Sequence, residues 1–199
     1  MRKLSSLALI LMISANAFAQ REAGAFNIQP KVGLNVANLT NADGADARVG
    51  LVIGAEGEYN ISPKFSVTAG LLYSQQGAKD SEYDGFYKID EIVKFDYINI
   101  PILANIYVAR GFAFKLGIQP GFNINSKAKF KTSGASAESD IEDTKTLDFS
   151  IPVGLSYEYA NLQLDVRYNW GLTEVNSNLD KCKNSVFQFT LGYKFNLSK

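Results

Sequence analysis

Glu56 and Glu58 stand two residues apart in GAEGEY, so on a strand both side chains leave the same face. Paired carboxylates are the raw material of acid–base catalysis, one keeping its proton while the other gives it up. The same spacing serves a second purpose when cations face the pair. Lys31, Asp165, Arg167 and Lys194 occupy equivalent polar-face positions in their own alternating segments. Buried charges are tolerated when they are paired and hydrogen-bonded. The six residues Lys31, Glu56, Glu58, Asp165, Arg167 and Lys194 are therefore read as a structural charge cluster inside the protein, with no catalytic residue among them.

Other chemistry is narrowed by what the chain lacks. It has no His, which removes Ser-His-Asp and Cys-His relays and every His-ligated metal site. A single Cys, Cys182, permits no internal disulfide. Its neighbours Lys181 and Lys183 place it in a polar 173–183 connection, where an exposed loop thiol is expected. The segment Asp80 to Glu91, DSEYDGFYKIDE, sets acidic residues at relative positions 1, 3, 5 and 12 with Gly at 6, close to a calcium loop. Glu82 in place of a shorter Asp or Asn, Lys88 at position 9 and the lack of flanking helices argue for a solvated acidic loop, so no metal and no cofactor are expected. Twenty basic and twenty acidic residues, with a pI near 6.3, exclude the basic surplus of a nucleic-acid binder.

The elements that must position these residues are strands. No window carries a sustained 3.6-residue period, while alternation of period two returns along the chain. Phe112, Phe114, Leu116, Ile118, Pro120, Phe122 and Ile124 fall on one face; Ala113, Lys115, Gly117, Gln119, Gly121, Asn123 and Asn125 fall on the other. Residues 162–173 and 187–196 repeat the pattern, and in these three segments every charge lies on the polar face. Further strands are expected near 28–38, 49–60, 64–76, 93–107 and 146–158. Long connections (39–48, 77–92, 126–145, 173–183) alternate with tight ones (61–63, 108–111, 159–160), which places all long loops at one end of an up-and-down meander.

Glycines crowd the polar face (Gly33, Gly54, Gly70, Gly117, Gly121, Gly154, Gly171, Gly192), where inside a narrow barrel they leave room for long neighbours. Aromatics near strand ends (Tyr59, Phe65, Tyr73, Tyr107, Phe112, Tyr157, Phe195) fit interfacial girdles. Residues 1–19 read as a signal peptide: Arg2 and Lys3, the apolar run Leu7 to Ile13, and Ala17-Phe18-Ala19 before cleavage. The expected architecture is all-β, an eight-stranded antiparallel up-and-down transmembrane β-barrel over residues 20–199, in the outer membrane of a Gram-negative bacterium. Its expected partners are outer-membrane lipids, the barrel insertion machinery and an unidentified extracellular or periplasmic protein. A narrow channel or small-solute transporter, and a secreted soluble β-barrel binding protein, remain the alternatives.

The stretches KVGLNVANL from Lys31 to Leu39, LLYSQQGAK from Leu71 to Lys79 and FDYINIPILANIY from Phe95 to Tyr107 carry a resemblance, together with LQLDVRYNWGLTEV from Leu162 to Val175 and FQFTLGYKF from Phe187 to Phe195. On these the chain resembles the porin-like outer-membrane β-barrel family that includes PorT-type proteins. The resemblance implies an eight-stranded barrel with both termini in the periplasm, and it brings no catalytic residues. The expected role is structural, adhesive or in assembly, carried by extracellular loops around a plugged lumen.

Overall fold

The computed structural model describes residues 22–41, 44–84, 87–132, 135–141, 143–176 and 181–197. The expected leader and its cleavage after Ala19 lie outside them. The strands are β1 (Phe26–Leu39), β2 (Asp46–Ser62), β3 (Phe65–Asp84), β4 (Tyr87–Asn99), β5 (Ile102–Ala109), β6 (Phe112–Thr132), β7 (Ala135–Asp140), β8 (Leu147–Tyr159), β9 (Leu162–Glu174), β10 (Lys183–Tyr193) and β11 (Phe195–Asn196). Each pairs antiparallel with its neighbours, and β10 returns to β1 with Lys31 opposite Gly192, which closes the sheet. β4 and β5 form one stave interrupted at Ile100 and Pro101, where proline has no N–H to give the ladder. β7 and β8 both pair with β6, and β10 and β11 both pair with β1, so the ring has eight staves.

Alternation decides which face meets which medium. On β6 and β9 the apolar residues point outward, with Leu116, Leu164 and Trp170 each more than half exposed, while Lys115 and Arg167 between them are buried. A soluble ligand-binding barrel would invert this, with its apolar side chains lining the interior. Water does not sustain so continuous an apolar exterior, because monomeric soluble proteins rarely expose patches beyond a few hundred Å². Lipid does, and the fold is a transmembrane barrel.

Tight turns gather at one end: Pro63 and Lys64, Arg110 and Gly111, and Ala160 with Asn161. The last two residues have φ of 47° and 72°, the left-handed pair that matches strand twist in a two-residue hairpin. At the opposite end the expected loops 77–92 and 126–145 are largely strand. Asp80 pairs with Glu91 and Asp84 with Tyr87, and Lys127 pairs with Asp140, so two hairpins prolong the sheet beyond the apolar band. Along Lys127 to Phe130 and Ser136 to Asp140 the side chains of neither face are buried, so that extension carries no hydrophobic alternation for a sequence reading to find. The calcium-like segment is built into the first hairpin, with Asp80 to Asp84 and Tyr87 to Glu91 on facing strands rather than wrapped around a centre.

Tyr107 also departs from expectation. It is no girdle aromatic, because Ile106 and Val108 take the outward positions of β5 and Tyr107 turns into the lumen, 4% exposed.

Candidate functional site

Glu56 and Glu58 alternate with Ala55 and Gly57 on β2 and therefore share the lumen face, as do Lys31 on β1, Lys115 on β6, and Asp165 and Arg167 on β9. Glycine makes their company possible. Lys31 has Gly54 and Gly192 as its two cross-strand neighbours, Glu56 faces Gly70, and Gly154 lies between Lys115 and Arg167. A Cβ on Gly70 would stand 2.5 Å from Glu56 Cγ, and one on Gly154 would stand 2.9 Å from Arg167 Cγ. The glycine row of the polar face is thus the space that the long charged side chains fill.

Five charges meet in the middle of the lumen. Arg167 reaches Glu56 at 2.6 Å and Asp165 at 2.6 Å, while Lys31 Nζ lies 2.7 Å from Glu56 and 3.2 Å from Asp165. Lys115 pairs with Asp165 and donates to Gln163 Oε1 at 3.1 Å. These side chains come from β1, β2, β6 and β9, which stand on opposite sides of the ring, and all five are essentially excluded from solvent.

A second group lies nearer the turns. Lys194 Nζ contacts Glu58 at 2.5 Å and Glu158 at 2.7 Å, Ser66 donates to Glu58 at 2.6 Å, and the Tyr107 hydroxyl donates to the same carboxylate. The first group has three cations for two carboxylates and the second one cation for two carboxylates, so the excesses cancel along the axis. Below it a cavity of about 310 Å³ opens between Asn27, Asn60, Glu158 and Lys194.

The six sequence-derived charges therefore fall into two groups: Lys31, Glu56, Asp165 and Arg167 in one, Glu58 and Lys194 in the other. Glu56 is held by Arg167 and Lys31, Glu58 by Lys194, so the two carboxylates are engaged separately and do not share a proton. Lys115, Glu158 and Tyr107 complete the groups and were missed as members. Lys115 was readable as a polar-face charge, but its meeting with Asp165 depends on barrel closure, which no local pattern encodes. Among the described residues no set of three or more Cys, Asp or Glu is placed to hold a metal ion.

Toward the hairpin end the lumen also holds an apolar cluster. Leu39, Ala78, Phe95, Tyr97, Val175 and Cys182 pack together there. The Cys182 thiol, which forms no disulfide, is not exposed: it is 6% accessible, with Sγ 3.8 Å from the Asn41 carbonyl. The physical reason is parity, since Cys182 shares the inward alternation of Asn184 and Val186 although it precedes the first residue of β10. Outside the apolar band, Lys94 of β4 crosses β6 to reach Glu138 of β7 at 2.6 Å, which holds that carboxyl below the usual carboxylate range.

The fold is similar to that of several solved structures. Neisserial surface protein A aligns over 86% of this chain and 99% of its own, at 15% identity and a TM-score of 0.52. The attachment invasion locus protein Ail of Yersinia pestis covers 87% of this chain and 100% of its own, at 18% identity and a TM-score of 0.46. The outer membrane protein OprG of Pseudomonas aeruginosa covers 88% and 98%, at 12% identity and a TM-score of 0.37. No curated protein matches the chain by sequence. A family model for the outer membrane protein beta-barrel domain matches residues 18–177, most of the chain, and the chain belongs to that family.

Proposed function

We propose that this outer-membrane barrel is closed to solutes and non-enzymatic, and that it acts as a structural, adhesive or assembly element through the hairpins it carries beyond the lipid. The observation that supports this reading is the meeting of Arg167, Lys31, Lys115, Glu56 and Asp165 from opposite sides of the ring. An eight-stranded barrel has an interior only wide enough for side chains, and here the longest ones are tied to each other across it. Dragging an ion past them means breaking buried pairs that lack water to replace them.

In this reading the tight turns and both ends of the chain face the periplasm and the β3–β4 and β6–β7 hairpins face outward, the orientation usual for bacterial barrels. A leader of residues 1–19 delivers a mature 20–199 domain to the insertion machinery, and the stretches LLYSQQGAK and RYNWGL support a PorT-type member of the family. The hairpins offer a protein partner the edges and faces of polar strands. Planar-bilayer recording tests the seal: wild type conducts little or nothing, and Arg167→Ala, which removes the side chain that spans from Asp165 to Glu56, raises conductance. A large, steady wild-type conductance overturns the closed barrel in favour of a narrow channel.

A further inference from the structure

We propose that Asp148 anchors a binding site for a monovalent inorganic cation in the outer part of the lumen. Asp148 lies on β8 opposite Gly121 of β6, faces inward and is 6% exposed. Its partners are neutral. The Thr173 hydroxyl donates to Oδ1 and the Asn184 amide donates to Oδ2 at 3.4 Å, and no Lys or Arg among the described residues pairs with it. The four carboxylates of the two inner groups, by contrast, each have a cation within 3.2 Å. Those inner groups cancel each other, which leaves the Asp148 charge without a paired cation among the described residues.

A buried carboxylate needs compensation, and the surroundings of this one indicate what kind. Asn184 is 2% exposed; its amide nitrogen is used by Tyr97 Oη at 3.1 Å and by Asp148, while its Oδ1 has no donor. Gln119, one inward position along β6 from Gly121, is 3% exposed and its Oε1 also has no donor. The neighbourhood therefore offers one full negative charge and surplus amide oxygens, and the donors that reach the carboxylate, Thr173 and Asn184, are neutral. Oxygen ligands of this type replace part of the hydration shell of a hard cation. One carboxylate neutralises one charge, and the described residues place no triad of acidic groups that would favour a polyvalent ion. Sodium and potassium fit this valence.

The test uses the full mature chain refolded in zwitterionic micelles. Heat-unfolding midpoints are measured at pH 7 and equal ionic strength in NaCl, KCl or N-methylglucamine chloride, whose cation is too large to enter. Wild type should unfold about 5 °C or more higher in sodium or potassium, saturating with concentration, because binding to the folded state alone raises the midpoint. Asp148→Asn, which keeps the shape and removes the charge, should give one midpoint in all three salts. Equal wild-type midpoints, or an undiminished salt response in Asp148→Asn, overturn the site. A wild type that ignores sodium and gains the same stability on acidification shows that Asp148 holds a proton instead, and overturns it too. Should Asp148→Asn not refold, sodium NMR on wild type decides: line broadening reversed by potassium supports the site, and unbroadened lines refute it.

Discussion

The mid-lumen charges make a prediction that runs against simple counting of contacts. Arg167 reaches both carboxylates, each through two of their oxygens, so its loss looks worst. Charge balance says otherwise. Lys31, Lys115 and Arg167 face Glu56 and Asp165, so Arg167→Met leaves two cations with two carboxylates, Lys31 still 2.7 Å from Glu56 and 3.2 Å from Asp165. Glu56→Gln leaves three cations around Asp165 alone. A pair at 2.7 Å attracts with roughly 6 kcal/mol at an effective dielectric of about 20, most of it offset by desolvation. Removing one partner of a buried pair costs about 3–5 kcal/mol, because the other is left uncompensated. Glu56→Gln should therefore cost about 3–5 kcal/mol and Arg167→Met, with similar volume and a lysine still facing each mid-lumen carboxylate, about 1–2 kcal/mol. Urea unfolding in lipid, followed through the single tryptophan Trp170, which faces outward on β9, gives both values. Arg167→Met as costly as Glu56→Gln would show that the guanidinium hydrogen bonds, not the charge balance, hold the lumen.

Other consequences are open to direct measurement. Cys182 lies under Leu39, Phe95 and Val175, so a membrane-impermeant maleimide should label folded protein far more slowly than denatured protein; equal rates would contradict its burial. A Cβ on Gly33 would stand 1.9 Å from the Phe189 carbonyl oxygen, so Gly33→Ala should destabilise the β1–β10 seam by about 1–3 kcal/mol, read from the same urea series. The Glu138 carboxyl, lowered by its hydrogen bond to Lys94, is ionised in the hairpin throughout the neutral range, so the contribution of that contact is present above the usual carboxylate range and is lost as pH falls through the lowered value. Hydrogen exchange of β7 amides, corrected for intrinsic rates, should hold steady through the usual carboxylate range and rise only below it. Glu138→Gln should remove that step.

The barrel itself was legible because lipid outside and polar side chains inside impose opposite demands on successive residues. Phe114, Leu116 and Ile118 against Lys115, Gly117 and Gln119 state the register of β6 without any tertiary information. Legibility ends where one of the two media ends. Beyond Ile124 the strand β6 bulges, with Tyr97 opposite Asn123 and Asp96 opposite Asn125, and Lys127 and Lys129 then run through water on both sides. A polar run there reads as loop, although its backbone groups are paired as fully as those below.

The lumen groups show a second limit, between knowing that a side chain faces inward and knowing whom it meets. Parity put Lys31, Glu56, Glu58, Asp165 and Arg167 inside, but partners were fixed by the closing register of β1 on β10 and by the stagger of β6 across the ring. Those set Lys115 against Asp165, drew Lys194 to Glu58 and Glu158, and separated the two glutamates of β2 into different groups. The glycines show how sequence and closure act together: Gly54, Gly70, Gly154 and Gly192 are conspicuous in the sequence as small residues on the wet face, yet only the register reveals that each stands beside a long charge. A glycine row on an alternating strand is therefore a record of the side chains that cross the lumen toward it. Gly121 fits the same rule with an uncharged neighbour: a Cβ there would stand 2.5 Å from Asn99 Oδ1, and its partner on the other side is Asp148, the inward carboxylate for which closure brings up no cation among the described residues.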